Sequence, residues 1–317
     1  MSSVIVYNEQ TQWGKIWDRQ ASTAVVAGFD SRFSRLVGSW GIRMDVHFTV
    51  PQVQRLKELG CDVADDGFKS VSERESAFAS IMTDLNRDNL SDIESFRAQP
   101  RRNELSDIEF LLAGKLIELG FMEFKTPTII SKDALDKMSI TEGHPLRRQV
   151  FFIDDKRCMR PMLAPNLYVS MKNLRKCMDG PIGFFEIGPC YRKESHSSRH
   201  LEEFTMLNLV IMDPDEEPMS CLRSCISKIM EFLGMEYELR VCHSDVYVET
   251  IDVEVDGLEV ASGAVGPHIL DKAHGICEPW CGVGFGIERL LMIKRGDNSI
   301  RRSGRSLAYL NGARIDI

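Results

Sequence analysis

The chain has 317 residues, 39 Lys+Arg against 47 Asp+Glu, and a net charge of −8; this excludes a surface basic throughout, though not a local basic patch. Apolar residues make up 43%, enough for a sizeable core and too many for a disordered chain. No apolar run approaches the ~18 residues of a membrane helix, and residues 24–28 are too short for a secretory core, so a cytoplasmic protein with no membrane partner is expected.

Residues 1–43 hold three of the four Trp (Trp13, Trp17, Trp40) and little sustained periodicity. They read as a poorly ordered extension, or as the result of a start upstream of an initiator at Met44. From Thr49 the helix signals are good: Thr49 and Pro51 suit a start, Val53, Leu56 and Leu59 mark a face, and Gly60 suits a stop. Residues 61–71 are acidic and loop-like. Ser72 suits the cap of a helix faced by Phe78, Ile81, Met82 and Leu85, at i, i+3, i+4 and i+7. A polar segment then ends near Pro100, where a domain boundary is placed. The next helix is faced by Leu105, Ile108, Leu112, Leu116 and Leu119 and closed by Gly120. A strand over 121–125 runs into Thr126-Pro127. Beyond it the chain reads as α+β, with helices near 164–177 and 220–233 and strands at 183–192, 204–212, 236–241 and 247–255. Asp256-Gly257 reads as a tight hairpin turn into 258–264. Strands follow one another more often than they alternate with helices, which favours an antiparallel sheet.

The nine cysteines (Cys61, Cys158, Cys177, Cys190, Cys221, Cys225, Cys242, Cys277, Cys281) contain no C-x-x-C pair. Cys221 and Cys225 fall in a helical pattern. They read as reduced thiols of a cytosolic protein, and no zinc is expected.

Four constellations could carry chemistry. In the first, two apolar strands flank a loop of Ser, His, Arg and Glu over residues 184–208. Arg192 stands where the first strand leaves the core, and a planar guanidinium there can clamp a phosphate or carboxylate. Glu194, two residues on, points to the same side; alone, the segment could equally be a charged hairpin tip. In the second, alternating Gly282, Gly284 and Gly286 clear one face of a strand, so a flat ligand can lie against the backbone. A helix follows with Arg289 in its first turn, where an anion meets both the dipole and a cation. A dinucleotide fingerprint fails, because Arg289 stands where the third glycine should be; a merely glycine-rich packed strand remains open. Third, Glu259 and Ser262 can hold magnesium through oxygen, with a phosphate completing the shell, although an edge-strand Glu is usually just solvated. Fourth, Arg160 to Tyr168 leads into a helix with Pro165 in its first turn. Ala164, Leu167, Tyr168 and Met171 share one face there, as an ordinary core face also would.

Together these segments resemble the class II aminoacyl-tRNA synthetases. That family is marked by a helix, strand and obligatory proline, matched by 105–127 with Pro127. A strand, Arg-x-Glu, loop and strand follow, matched by Arg192 and Glu194. Last comes a glycine-rich strand and a helix with an arginine, matched by Gly282, Gly284, Gly286 and Arg289. Over roughly 46–317 the chain is similar to the branch of that class specific for pyrrolysine. The resemblance implies an α+β fold with an antiparallel sheet flanked by helices, and a homodimer built partly on the Pro127 segment. It divides the chain into an extension (1–43), a small helical tRNA-contacting segment (44–100) and a catalytic domain (101–317). Many relatives carry a separate basic N-terminal domain that grips the tRNA. Residues 1–43, with five Lys/Arg, three Asp/Glu and no ligand-spaced Cys or His, do not resemble it.

The resemblance also implies the activity: ATP-dependent attachment of pyrrolysine to an amber-suppressor tRNA, through an aminoacyl-adenylate, so that UAG is translated. By resemblance, Arg192 meets the α-phosphate of ATP and Arg289 the γ-phosphate. Glu194 reads the adenine amino group, Phe204 stacks on the ring, and His200 and Leu201 close over the nucleotide. Glu259 and Ser262 hold Mg2+. The amino-acid pocket maps onto Ala164, Leu167, Tyr168, Met171, Asn208, Val210, Tyr247, Ala264, Trp280 and Gly282. It is large, apolar and short of charge, which suits a lysine capped as an amide better than a free ammonium. Asn208 would bond the amide carbonyl and Tyr247 would cover the ring. Arg97, Arg101, Arg102, Lys172, Arg175, Lys176, Arg301, Arg302 and Arg305 are candidate tRNA contacts.

Overall fold

A computed structural model describes residues 46–61, 67–193, 199–244 and 246–316. The expected extension 1–43 lies outside them. Two compact units are present. One takes in the described residues 46, 47 and 67–74, with an antiparallel bridge between Val46 and Phe68. The other takes in the described residues 48–61 and 75–316.

In chain order the described elements begin with α1 (Val50–Glu58), α2 (Val71–Ala98), α3 (Glu104–Glu118), β1 (Met122–Glu123) and β2 (Ile129–Ser131). Next come α4 (Lys132–Lys137), α5 (Pro145–Arg148), β3 (Arg157–Met159), α6 (Ala164–Leu174), β4 (Ile182–Tyr191) and β5 (Glu203–Met212). The chain continues with α7 (Pro218–Leu233), β6 (Glu238–Ser244), β7 (Val248–Val255), β8 (Leu258–Gly266), α8 (Asp271–His274), β9 (Trp280–Gly286) and α9 (Ile287–Arg295). A 3-10 turn (Ile300–Arg302) and the hairpin β10 (Tyr309–Leu310) and β11 (Ala313–Arg314) end it.

Seven strands form the central sheet in the order β1-β4-β5-β9-β8-β7-β6. All neighbours are antiparallel except the edge strand β1, which runs parallel to β4. The antiparallel sheet expected from the sequence is present, with one parallel pair at its edge, and the strand expected over 121–125 shrinks to Met122–Glu123. Asp256 and Gly257 have φ of 50° and 73°, the pair of left-handed positions that a two-residue hairpin demands.

Period-2 alternation divides the sheet's two faces. Cys281, Val283 and Phe285 of β9 join Leu207 and Leu209 of β5 in one core beneath α3, α7 and α9. α3 enters it with Leu105, Ile108, Leu112 and Leu116, after an Asn103 cap on the Leu105 amide. α7 starts on a Glu217 cap and Pro218 and stops at Gly234 in the left-handed region. The opposite face carries a second core, to which Tyr168, Met171, Val210, Ala264 and Trp280 belong.

The α1 reading holds to its cap: Thr49 and Gln52 form a reciprocal capping box. In α2 the start is Val71, with Ser70 Oγ accepting the Glu73 amide at 3.2 Å, so Ser72 lies inside the first turn rather than capping it. The polar stretch before Pro100 stays helical to Ala98. Asn89 of α2 is stitched to the chain end: it bonds the Arg314 carbonyl at 2.8 Å and its amide at 2.6 Å. Tyr309 Oη donates to the Glu58 carbonyl at 3.1 Å, and Arg314 pairs with the Glu58 carboxylate.

Candidate active site

Register explains why the glycines of β9 alternate. Gly284 lies between Asn208 of β5 and Ser262 of β8, and Gly282 between Val210 and Ala264. A β-carbon at Gly284 would stand 2.9 Å from both Nδ2 and Oδ1 of Asn208, and one at Gly282 would stand 3.0 Å from the Leu209 carbonyl. The row is thus a flat floor on which neighbouring side chains lie down. Above it opens a cavity of about 460 Å³.

One end of this cavity is charged. Arg192 leaves β4, donates from Nε to the Pro161 carbonyl at 2.8 Å, and sits 5.2 Å over the Phe204 ring. Arg289, in the first turn of α9, donates from Nη1 to the Glu259 carbonyl at 2.7 Å. His200 and Leu201 stand at the rim, and Leu201 packs on Gly304. Glu259 sits at the mouth with its side chain 51% accessible. Burial pushes its carboxyl up, Arg289 opposes this, and Asp252 adds to it. Ser262 gives its hydroxyl proton to Asp252 at 2.6 Å. Its lone pairs remain available, beside an acidic corner of Asp252, Glu254 and Glu259. Glu259 and Ser262 offer oxygen donors of the kind a hard divalent cation takes.

The other end is uncharged and aromatic. Ala164, Leu167, Tyr168 and Met171 of α6 form one wall, Val210 and Ala264 another, and Trp280 closes the row beyond Gly282. Tyr247, between β6 and β7, covers the opening with its ring 6.2 Å from that of Trp280. Asn208 marks the junction of the two ends, and its Oδ1 is buried without a hydrogen-bond partner among the described residues. Every site residue expected from the sequence lines this one cavity, apart from Glu194, which lies outside the described residues.

Several further groups, in the lining or behind it, are given no role by the sequence reading. Asp271 anchors Tyr168 and Trp280. Asp252 and Thr250 reach the cation corner from β7. Glu288 is 1% exposed and takes the Thr205 amide on both oxygens at 2.8 Å, tying α9 to β5. Burial raises its carboxyl to about 7, with Thr205 and Arg305 holding it down in part. Arg160 and Glu186, both 1% exposed, pair at 2.8 Å; Thr126 and the Pro189 carbonyl complete their bonding. This ties the Thr126-Pro127 segment to β4, and Arg160's neighbour Pro161 holds Arg192.

Of the candidate tRNA cations, four already hold internal carboxylates. Arg102 pairs with Asp107 at 3.4 Å, Arg175 with Glu278 at 3.4 Å, Arg302 with Asp297 at 2.9 Å, and Arg305 with Glu203 at 3.7 Å. Arg101 stacks on Phe96. Arg97, Lys172, Lys176 and Arg301 are exposed. Among the described residues no helix is long and apolar enough to cross a membrane.

The family model for the tRNA synthetases class II core domain (F) matches residues 91–308, and the chain belongs to the class II aminoacyl-tRNA synthetases. A crystal structure of pyrrolysyl-tRNA synthetase from Desulfitobacterium hafniense is 46% identical, covering 85% of this chain and 98% of that one, with a TM-score of 0.79. Within the class the chain therefore falls in the pyrrolysyl-tRNA synthetase family, as an aminoacyl-tRNA ligase. A second structure of a pyrrolysyl-tRNA synthetase from the same organism is 43% identical over 89% of this chain and all of that one, with a TM-score of 0.80. More distantly, the phenylalanine--tRNA ligase alpha subunit of Onion yellows phytoplasma is 24% identical over 253 residues, covering 74% of this chain and 71% of its own.

Proposed function

We propose that the chain joins pyrrolysine to its tRNA in two steps on the glycine floor of β9. The observation that carries the reading is the polarity of one continuous cavity. It has cations and an acidic corner at one end, an uncharged aromatic pocket at the other, and Asn208 between them. In the first step the amino-acid carboxylate attacks the α-phosphate of ATP, and pyrophosphate leaves. Negative charge accumulates on the α-phosphoryl oxygens, where Arg192 stands preorganised by the Pro161 carbonyl and the Phe204 ring. Arg289 takes the γ-phosphate, Phe204 stacks on adenine, and Glu194 reads its amino group. His200 and Leu201 close the rim. Glu259 and Ser262 hold Mg2+, which neutralises phosphate charge when bound. In the second step the terminal ribose hydroxyl of the tRNA attacks the acyl carbon, and AMP leaves.

Asn208 donates to the amide carbonyl of the capped lysine, and Tyr247 covers its ring. Residues 44–100 and the exposed Arg97, Lys172, Lys176 and Arg301 contact the tRNA. A homodimer forms around Thr126-Pro127; Ile129 and Val169, 45% and 54% exposed, support this as an apolar surface beside it. Amino-acid-dependent ATP–pyrophosphate exchange, followed by charging of the amber-suppressor tRNA, tests the reading. Turnover is expected with pyrrolysine and not with lysine or phenylalanine. Equal turnover with plain lysine would overturn the pocket assignment.

A further inference from the structure

The aromatic walls of the pocket come from separate parts of the chain, yet one side chain behind them holds them together. Asp271 is 2% exposed and stands outside the cavity lining. Its Oδ1 accepts the Tyr168 hydroxyl, from α6, at 2.9 Å. Its Oδ2 accepts Trp280 Nε1, from β9, at 2.9 Å and the His268 amide, from the loop after β8, at 2.6 Å. Tyr168 also stacks on His274 of α8, ring centroids 4.1 Å apart.

The same carboxylate decides where Tyr247 rests. A phenol has one proton. Tyr168 gives its own to Asp271, so its oxygen is left to accept. The Tyr247 ring meets Trp280 and His268 edge-on, at 6.2 and 5.7 Å. Both residues whose rings Tyr247 packs against are therefore residues that Asp271 holds.

We propose that Asp271 is a positioning residue that sets the width of the side-chain pocket and the seat of Tyr247, and thereby the choice among N-acylated lysines. The proposal rests on the reading of this cavity given above. Two carboxylate oxygens fix the spacing between Tyr168 and Trp280, whose rings stand 5.9 Å apart. An amide in that place keeps one acceptor but turns a donor toward Trp280 Nε1 and the His268 amide, which are themselves donors.

The test is ATP–pyrophosphate exchange by the full chain for Asp271→Asn and Tyr168→Phe, with pyrrolysine, Nε-acetyl-lysine and Nε-benzyloxycarbonyl-lysine as substrates. For Asp271→Asn, KM for pyrrolysine should rise about tenfold, the scale of one charge-assisted hydrogen bond. The kcat/KM ratio of the benzyloxycarbonyl substrate to pyrrolysine should shift about fivefold or more toward the bulky group, within the range a reshaped apolar pocket gives. KM for ATP should stay within about twofold, because the Arg192 end is untouched. Tyr168→Phe should move the ratio the same way by less. Unchanged ratios in both variants overturn the proposal, as does a KM for ATP that rises in step with that for the amino acid. If Asp271→Asn does not fold, the ratio in Tyr168→Phe decides alone. A wild-type chain inert toward every acylated lysine would overturn the pocket reading itself, a distinct failure visible before any variant is made.

Discussion

Replacing Gly284 by alanine tests whether the glycine row is a floor for side chains or a packing accident. The new methyl carbon would stand 2.9 Å from both Nδ2 and Oδ1 of Asn208 and 3.1 Å from its Cγ. Ordinary contact needs about 3.5 Å, so the amide must move by about half an ångström or swing off its rotamer. Overpacking of this kind costs ~1–3 kcal/mol. Since the displaced group is the one expected to meet the lysine amide, the cost should appear as a rise of about 5- to 150-fold in KM for pyrrolysine. The control is the same substitution in an Asn208→Ala background, where the methyl meets no amide. There it should cost less than about 0.5 kcal/mol, so the double-mutant cycle gives a coupling of about 1–2 kcal/mol. ATP–pyrophosphate exchange measures all four corners, with thermal melting to confirm folding. Additive effects would refute the floor argument, because they would mean that Asn208 is not what the methyl strikes.

Two further outcomes concern stability. Glu288 binds its proton up to about pH 7 when folded, against an ordinary value of 4.5. Between those values the folded state holds more protons than the unfolded one, so stability falls as pH rises toward 7, by roughly 3 kcal/mol in the limit of no relaxation. Urea melts at pH 5 and 7.5 should show this loss in the wild type and a smaller one in Glu288→Gln, whose carbonyl can still take the Thr205 amide; parallel profiles would show that Glu288 does not titrate there. Asn89→Ala removes both bonds to the Arg314 backbone and should cost about 1–3 kcal/mol of stability in the same assay; no change would mean that α2 is not held by the chain end.

What the sequence disclosed and what it hid divide along a physical line. Arg192, Arg289, Asn208, Ser262 and the three glycines sit on strands and a helix whose periodicity alone decides which way a side chain faces, so their convergence was readable. Asp271, Asp252 and Glu288 act through partners brought together by the sheet order β5-β9-β8-β7, and no local pattern records which strand lies beside which. The start of α2 lies two residues before the one the sequence suggests, because Ser70 and Ser72 carry the same capping chemistry. β1 was read too long because apolar Phe121 belongs to the α3 core rather than to a ladder. Among the tRNA candidates a sequence shows cations, while only the fold shows that Arg102, Arg175, Arg302 and Arg305 also hold carboxylates.

The selection against plain lysine proposed above would not come from an absence of negative charge near the pocket, since Asp271 is a carboxylate lying directly behind Tyr168 and Trp280. It would come from occupancy. Three donors already hold that carboxylate: the Tyr168 hydroxyl, Trp280 Nε1 and the His268 amide. It is also walled off from the cavity at 2% exposure. An ammonium entering the pocket would lose its water and gain no free counter-ion, a cost of several kcal/mol. A neutral amide loses far less and finds Asn208 at the right depth. A charged residue can therefore build an uncharged pocket, provided its own bonds are filled from the protein side.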